Sequence, residues 1–285
     1  MPRILIAGCG YVGQAAADLF HAAGWAVEGW TGSAKSAATL SAKPYPVCQV
    51  DISQRAEVAE RAGIFDAVIH CASSSGGDAD MYRRVYLNGA RNLLEIFPGS
   101  KLLFTSSTSV YAQRDGSWVT EESETKPLRE TSRILLETER VLLGSGGTVA
   151  RLAGIYGPGR SALLQKFLAG TAVIDLENDR LVNQVHRDDI AAALYLLLSR
   201  EAKPAQIYNV VDDQPIFQSE CYRWLAERLN RPLPPTAQAE QPRKRGDTNK
   251  RVSNAKSRRS GWTPQYPTFA EAMEKSILPS FGLSR

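Results

Sequence analysis

The sequence predicts an α/β protein: a doubly wound parallel sheet with helices on both faces and a small C-terminal cap over the carboxyl ends of its strands. Two observations carry this. The first is the stretch Arg3–Gly13, RILIAGCGYVG, where an apolar run breaks into Gly8-x-Gly10-x-x-Gly13 before a helix-compatible segment. The second is the alternation of strand-like and helix-like runs through the first half of the chain.

Strand signals fall at Ile4–Ala7, Ala26–Trp30, Val47–Val50, Ala67–His70, Leu102–Thr105 and Val149–Leu152. Helical signals lie between them at Gln14–Ala23, Ala34–Leu40, Gln54–Ala62, Met81–Ile96 and Arg133–Leu143. Gly157-Pro158-Gly159 then interrupts the rhythm, and Pro232–Pro242 reads as a proline-rich loop. Residues 1–155, with the helix near 188–199, are expected to form the sheet domain; 156–285 are expected to form most of the cap.

In the glycine turn each residue has a job. Gly8 permits the turn, Gly10 lets phosphates approach the backbone, and Gly13 lets helix pack on strand. Phosphates then sit on the free N–H groups and positive end of the helix. A Rossmann-type dinucleotide site is the expectation.

Composition narrows the rest. A hydrophobic content of 43% and a charged content of 22% are ordinary for a globular protein. Met1-Pro2-Arg3 leads straight into the first strand without the apolar core of a signal peptide, and no apolar run is long enough to span a bilayer. The four cysteines (Cys9, Cys48, Cys71, Cys221) lack zinc or redox spacing, so no metal and a reducing cytoplasm are expected. The net charge of +4 is local. Residues 243–259 hold eight basic residues and one acid, Asp247, leaving 26 basic and 29 acidic residues elsewhere. No basic helix or stacking aromatic pattern accompanies this patch, so nucleic acid is not expected. The patch reads either as a solvated loop or as a clamp for an anionic small molecule.

Several motifs resemble the extended short-chain dehydrogenase/reductase family, the NAD-dependent epimerases and dehydratases. LLFTSSTSVY (102–111) is similar to the family's fifth strand and Ser-Ser-x-x-Val-Tyr signature, and RLAGIYGPGR (151–160) to the strand and loop that open its substrate site. VHRDDIAAAL (185–194), IYNVVDDQP (207–215) and KRVSNAKSRRSGWTPQYP (250–267) match later landmarks in order. Within the family the chain is similar to small, atypical bacterial members of the YeeZ type. The resemblance implies NAD(P) as cofactor and a cap on the substrate side. It also implies a homodimer through the helices at 81–96 and 133–143.

It further implies a set of site residues. Gly8, Gly10, Tyr11, Val12 and Gly13 would hold the pyrophosphate. Asp51 and Ile52 would contact adenine, and Cys71, Ala72 and Ser73 would line the cofactor. Ala153, Gly154 and Ile155 would pass the nicotinamide, while Ser74, Arg160, Arg243 and Arg245 would face the substrate. Ser107 takes the position of the catalytic Ser/Thr, with Tyr111 and Thr131 as further catalytic candidates. An acid normally ends the second strand of NAD-preferring folds, and here that place falls on Thr31, followed by Ser33 and Lys35. The cofactor is therefore expected to be NADP at least as readily as NAD, with Glu28 the rival acid.

The departures are as informative. Ala7 stands at the family's first glycine, and Tyr86 stands where its fourth helix carries Asn. The catalytic Tyr-x-x-x-Lys aligns with Thr131 and Leu135, and none of the ten tyrosines has a lysine four residues later. A Lys⁺ beside a phenol lowers its pKa, and losing such a positioned acid/base typically removes roughly 10²–10⁴ in rate. Tyr86, Tyr111, His70 and His186 are the candidates to replace it. Two readings follow: an epimerase, dehydratase or reductase acting on a nucleotide sugar or related anion, and a dinucleotide-binding sensor or scaffold with little turnover.

Overall fold

The computed structural model of the chain describes residues 1–74, 76–199, 205–237 and 248–283. Seven parallel strands form the central sheet. They are β1 (Arg3–Ala7), β2 (Ala26–Thr31), β3 (Val47–Gln49), β4 (Ala67–His70), β5 (Lys101–Ser107), β6 (Thr148–Leu152) and β7 (Ile207–Val210). Their order is β7-β6-β5-β4-β1-β2-β3. The chain winds outward from β1 in one direction and then, from β4, in the other. The crevice between the carboxyl ends of β1 and β4 is therefore the topological switch point, where such sheets bind ligands.

Central parallel strands are covered on both faces, which is why they read as continuous apolar runs. Ile4–Ala7 and Ala67–His70 are fully buried. The helix Tyr11–Ala22 lies on one face and is joined to the helix Arg187–Ser199 by the edge-on rings of Phe20 and Tyr195, 5.1 Å apart.

The structure departs from the sequence reading in instructive places. The first helix starts at Tyr11 rather than Gln14, because Gly10 O already accepts from Gln14 N at 2.8 Å. The helix expected at 81–96 begins at Ala79, capped by Asp78 accepting from Met81 N at 2.9 Å. It then widens into a π-helical turn over Arg83–Asn88 before continuing as Gly89–Ile96. Ile207–Val210, expected in the cap, is the seventh strand of the main sheet, because its backbone ladder completes the open edge of β6. Trp262 likewise returns to the sheet core, its Nε1 donating to Asp189 O at 3.0 Å. A second buried cluster, centred on Tyr156, Leu164, Phe167, Tyr222, Phe269 and Ile277, gathers residues from beyond 155.

Behind the strand ends lies a buried ion pair. Arg151 on β6 meets Glu139, on the helix Glu130–Gly144, through Nε and Nη2, the shortest contact being 2.7 Å. The Arg151 Nη1 donates to the Tyr111 hydroxyl at 2.8 Å, which donates in turn to Asn209 Oδ1 on β7 at 2.8 Å. Ser106 Oγ donates to Glu139 at 2.5 Å. One charge network thus fastens three strands and a helix.

Removing one partner of such a pair leaves an unpaired buried charge, which costs about 3–5 kcal/mol. Arg151→Met is expected to lower the unfolding free energy by about that amount, measured by urea denaturation. The double variant Arg151→Met, Glu139→Leu is expected to lose less than the single one. A double variant at least as unstable as the single would contradict this.

Candidate active site

A cleft of about 1440 Å³ opens at the switch point and runs from the glycine turn to the start of the helix Glu130–Gly144. Gly8 and Gly10 line its floor, while Gly13 does not reach the cleft. Gly8 has φ +111°, and a Cβ on it would lie 2.1 Å from Ala72 N at the end of β4. A Cβ on Gly13 would lie 2.2 Å from Gly8 O. Close approach of backbone to backbone dictates both. A Cβ on Gly10, by contrast, meets nothing within 4 Å, and Gly10 lines the cleft. Open space above the Gly10 backbone leaves room for a group in the cleft to approach it closely. Ala7, at the family's first glycine, ends β1 fully buried and paired with both Trp30 and His70.

The first intrahelical bond is Gln14 N to Gly10 O. The amides of Tyr11, Val12 and Gly13 therefore stand outside the helix's own ladder, at its positive end. Tyr11 and Val12 line the cleft. The guanidinium groups of Arg160 and Arg187 lie over the Tyr11 ring, 5.1 and 5.0 Å from its centroid, and its hydroxyl donates to Pro158 O at 3.0 Å. Such cation–π contacts hold the Gly157–Arg160 loop against the helix start. Arg160 also lines the cleft.

At the end near β2 and β3 the wall contains Thr31, Asp51 and Ile52. The Thr31 hydroxyl donates to Ser33 O at 3.2 Å. Asp51 accepts from Ser53 N at 2.9 Å, and Ile52 O accepts from Asn92 Nδ2 at 2.8 Å. Ser33 is not on this wall. It caps the helix Ala34–Thr39 by accepting from Ser36 N, and Ser36 lines the cleft instead. Glu28 lies within β2, accepting from Trp30 Nε1 at 2.8 Å, and does not line the cleft. Cys71, Ala72 and Ser73 form the opposite wall.

At the other end β5 terminates in Ser107, whose Oγ accepts from Ser109 N at 3.1 Å. Thr131, Ser132 and Leu135 line the cleft from the helix start, and Ser132 Oγ donates to Ser109 Oγ at 3.2 Å. Ala153, Gly154 and Ile155 close the side. The structure thus brings Ser107 and Thr131 into one cleft, with no phenol–ammonium pair at 131 and 135.

It does not bring Tyr111 there. That residue is fully buried, off the cleft wall, and its hydroxyl is engaged by Arg151 and Asn209; burial pushes its pKa up while Arg151 pulls it down. Ser74 also leaves the wall, its amide donating to the Tyr86 hydroxyl at 3.4 Å. Tyr86 itself lines the cleft, from the π-helical turn. Arg243 and Arg245 lie outside the described residues.

Sequence reasoning missed cations on the cleft wall: Arg114, Arg129, Lys166, Arg180 and Lys250. They come from five separate segments, and only Lys250 stood inside a recognisable basic run.

The histidine candidates are buried away from the cleft. His70 packs in a cluster with the rings of Tyr86 and Phe104, with Nε2 at 3.2 Å from Tyr86 O, and burial lowers its pKa to about 4. His186 Nδ1 accepts from Asp188 N, its Nε2 lies 2.9 Å from Ser276 Oγ, and burial lowers its pKa to about 4. His70 ionises near 6.5 when unfolded but only near 4 in the fold. The unfolded chain binds more protons throughout that window, so this residue's contribution is intact above pH 6.5 and is lost as pH falls toward 4. Relative to His70→Leu, the wild type is expected to lose on the order of 3 kcal/mol between pH 7 and 4, followed by urea denaturation at each pH. Parallel pH profiles would contradict this.

The comparisons with known proteins agree with this geometry. The sequence model of the NAD dependent epimerase/dehydratase family matches residues 4–210. Protein YeeZ of Escherichia coli (strain K12) is 31% identical over 221 residues, 74% of this chain and 77% of that protein. A solved structure of a candidate NAD-dependent epimerase/dehydratase from Methylobacillus flagellatus is 27% identical, covers 99% of both chains and superposes with a TM-score of 0.81. The fold is also that of the UDP-glucose 4-epimerase of Thermus thermophilus complexed with NAD, with a TM-score of 0.83 at 22% identity over 99% of both chains. With the family's sequence pattern across most of its length and the seven-stranded sheet beneath it, the chain belongs to the NAD-dependent epimerase/dehydratase family.

Proposed function

We propose that the chain binds NAD(P) in this cleft and acts as an epimerase-, dehydratase- or reductase-like enzyme on an anionic substrate, a nucleotide sugar or a related molecule. The observation that carries the reading is Gly10. Its missing Cβ faces open cleft, at the positive end of a helix whose first amides stand outside its own ladder. In the proposed complex Tyr11 and Val12 hold the pyrophosphate through their amides, Asp51 and Ile52 the adenine, and Ala153–Ile155 flank the nicotinamide. The dinucleotide, when bound, supplies hydride acceptance or donation. Ser107 Oγ, on the same wall, is placed to hold a substrate hydroxyl or carbonyl.

A second reading, a dinucleotide-binding sensor or scaffold, is favoured by one specific feature. Thr131 and Leu135 occupy the cleft wall where a phenol and an ammonium are needed to move a proton. A threonine hydroxyl does not ionise usefully near neutral pH, so position 131 is not a strong base.

The cofactor preference follows from the end of β2. No acid of β2 itself faces the cleft to repel a 2′-phosphate, since Thr31 lines it and Glu28 does not; Asp51, which also lines this end, follows β3 and is assigned to the adenine. NADPH is therefore expected to bind at least as tightly as NADH, followed through quenching of Trp30, which lines the cleft. Thr31→Asp is expected to weaken NADPH about tenfold or more. Clear preference of the wild type for NADH would contradict this.

Gly10→Val separates site from scaffold. A Cβ there meets nothing within 4 Å, so dinucleotide binding is expected to be lost while the cooperative thermal transition is retained. Gly10→Val that binds NADPH normally would remove the observation on which the function rests. If turnover is found among sugar nucleotides and simple carbonyls, Ser107→Ala is expected to reduce it more than Thr131→Val. The reverse order would restore position 131 as the proton-transfer group.

A further inference from the structure

The cleft is electrostatically lopsided. Among the described residues lining it, Asp51 is the one acid, and it stands at the end near β3. The opposite end is cationic. Lys250 is 5% exposed and lines the cleft, with Nζ donating to Tyr111 O at 3.0 Å and to Thr248 Oγ1 at 2.7 Å. Tyr111 N donates to Thr108 O, within the tight turn that begins at Ser107, so two hydrogen bonds connect the Lys250 ammonium to that turn. Arg129 comes from the facing side. It immediately precedes the helix Glu130–Gly144, and its carbonyl accepts from Ser132 N, whose side chain reaches Ser109. Arg114 is carried beside Lys250 by the hydrogen bond from Asn249 N to Gln113 O. Thr131 and Ser132, from the first turn of the helix Glu130–Gly144, line the cleft beside Arg129.

We propose that Lys250 and Arg129 hold an acidic group of the substrate, a carboxylate or a phosphate, next to the carbon that reacts at Ser107. This rests on the reading of Ser107 as the reacting end of the cleft and sharpens it, by locating the substrate's negative charge there rather than only at a distant group. A buried ammonium and a guanidinium supply the charge-assisted donors that such an oxyanion needs.

Small anions test this without knowledge of the substrate. Malonate and inorganic phosphate serve as the carboxylate and phosphate probes, titrated by calorimetry against the protein with and without NADPH, with neutral malonamide as control. At least one anion is expected to bind while malonamide does not, and which one binds tells carboxylate from phosphate. Lys250→Met is expected to weaken that anion about tenfold or more. Because Lys250 is buried, Arg129→Gln on the half-exposed helix start provides a second variant, with the same loss expected. Binding of neither anion, or anion binding unchanged in Arg129→Gln, overturns the proposal. The NADPH titration in the same samples stands apart: its failure would remove the dinucleotide reading and leave anion binding as measured.

Discussion

The cleft depends on a charge that never touches it. Arg151 and Glu139, each almost wholly buried, are joined by two-pronged hydrogen bonds between β6 and the helix Glu130–Gly144. Two buried charges cost desolvation energy and are tolerable only when their remaining hydrogen-bonding capacity is met. Here it is met by Ser106, Tyr111 and, through Tyr111, Asn209. Each of these satisfies the pair and is itself fixed by it. Ser106 precedes Ser107, so the network sets where β5 ends. Glu139 lies two helical turns from Thr131, so it sets which side chains that helix presents to the cleft.

The same network explains why Tyr111 is not a chemical group in the cleft despite its place in a motif that looks catalytic. Its hydroxyl closes a chain of buried donors and acceptors, and moving a proton from it would leave Asn209 and Arg151 rearranging in a low dielectric. Of the four candidates for proton transfer, Tyr86 alone lines the cleft. The two buried histidines are held neutral by burial, and the wall near Ser107 offers hydroxyls and cations rather than a phenol beside a lysine. The geometry suits binding and polarising an oxygen-rich anion more obviously than it suits the family's usual proton relay.

Much of this was legible in the sequence. The central strands announced themselves because strands covered on both faces must be apolar throughout, and the glycine turn because its spacing has a geometric cause. Thr131 and Leu135, which the sequence reading aligns with the family's tyrosine and lysine, both line the cleft, because a helix keeps residues four apart on one face. The short strands were not readable: pairings such as Trp118–Val119 with Arg251–Val252 are two residues long, too short for alternation to show. The seventh strand was missed because IYNV follows a long excursion through the cap, and only the open edge of β6 recruits it. Ser33 and Ser74 each stand next to a wall residue: the Ser33 side chain caps the following helix, and the Ser74 amide donates to Tyr86. Apart from Arg160 and Lys250, the cleft's cations were invisible for a different reason. They come singly from distant segments, and only the fold collects them.

The central claim is that a dinucleotide lies across the switch point with its pyrophosphate on the first amides of the helix Tyr11–Ala22. A crystal structure of the protein soaked with NADPH tests this most directly. Pyrophosphate density within hydrogen-bonding distance of the Tyr11 and Val12 amides, with the nicotinamide directed toward Ser107, is the expected result. Dinucleotide bound elsewhere, or a cleft that stays empty at saturating NADPH and at saturating NADH, would contradict it.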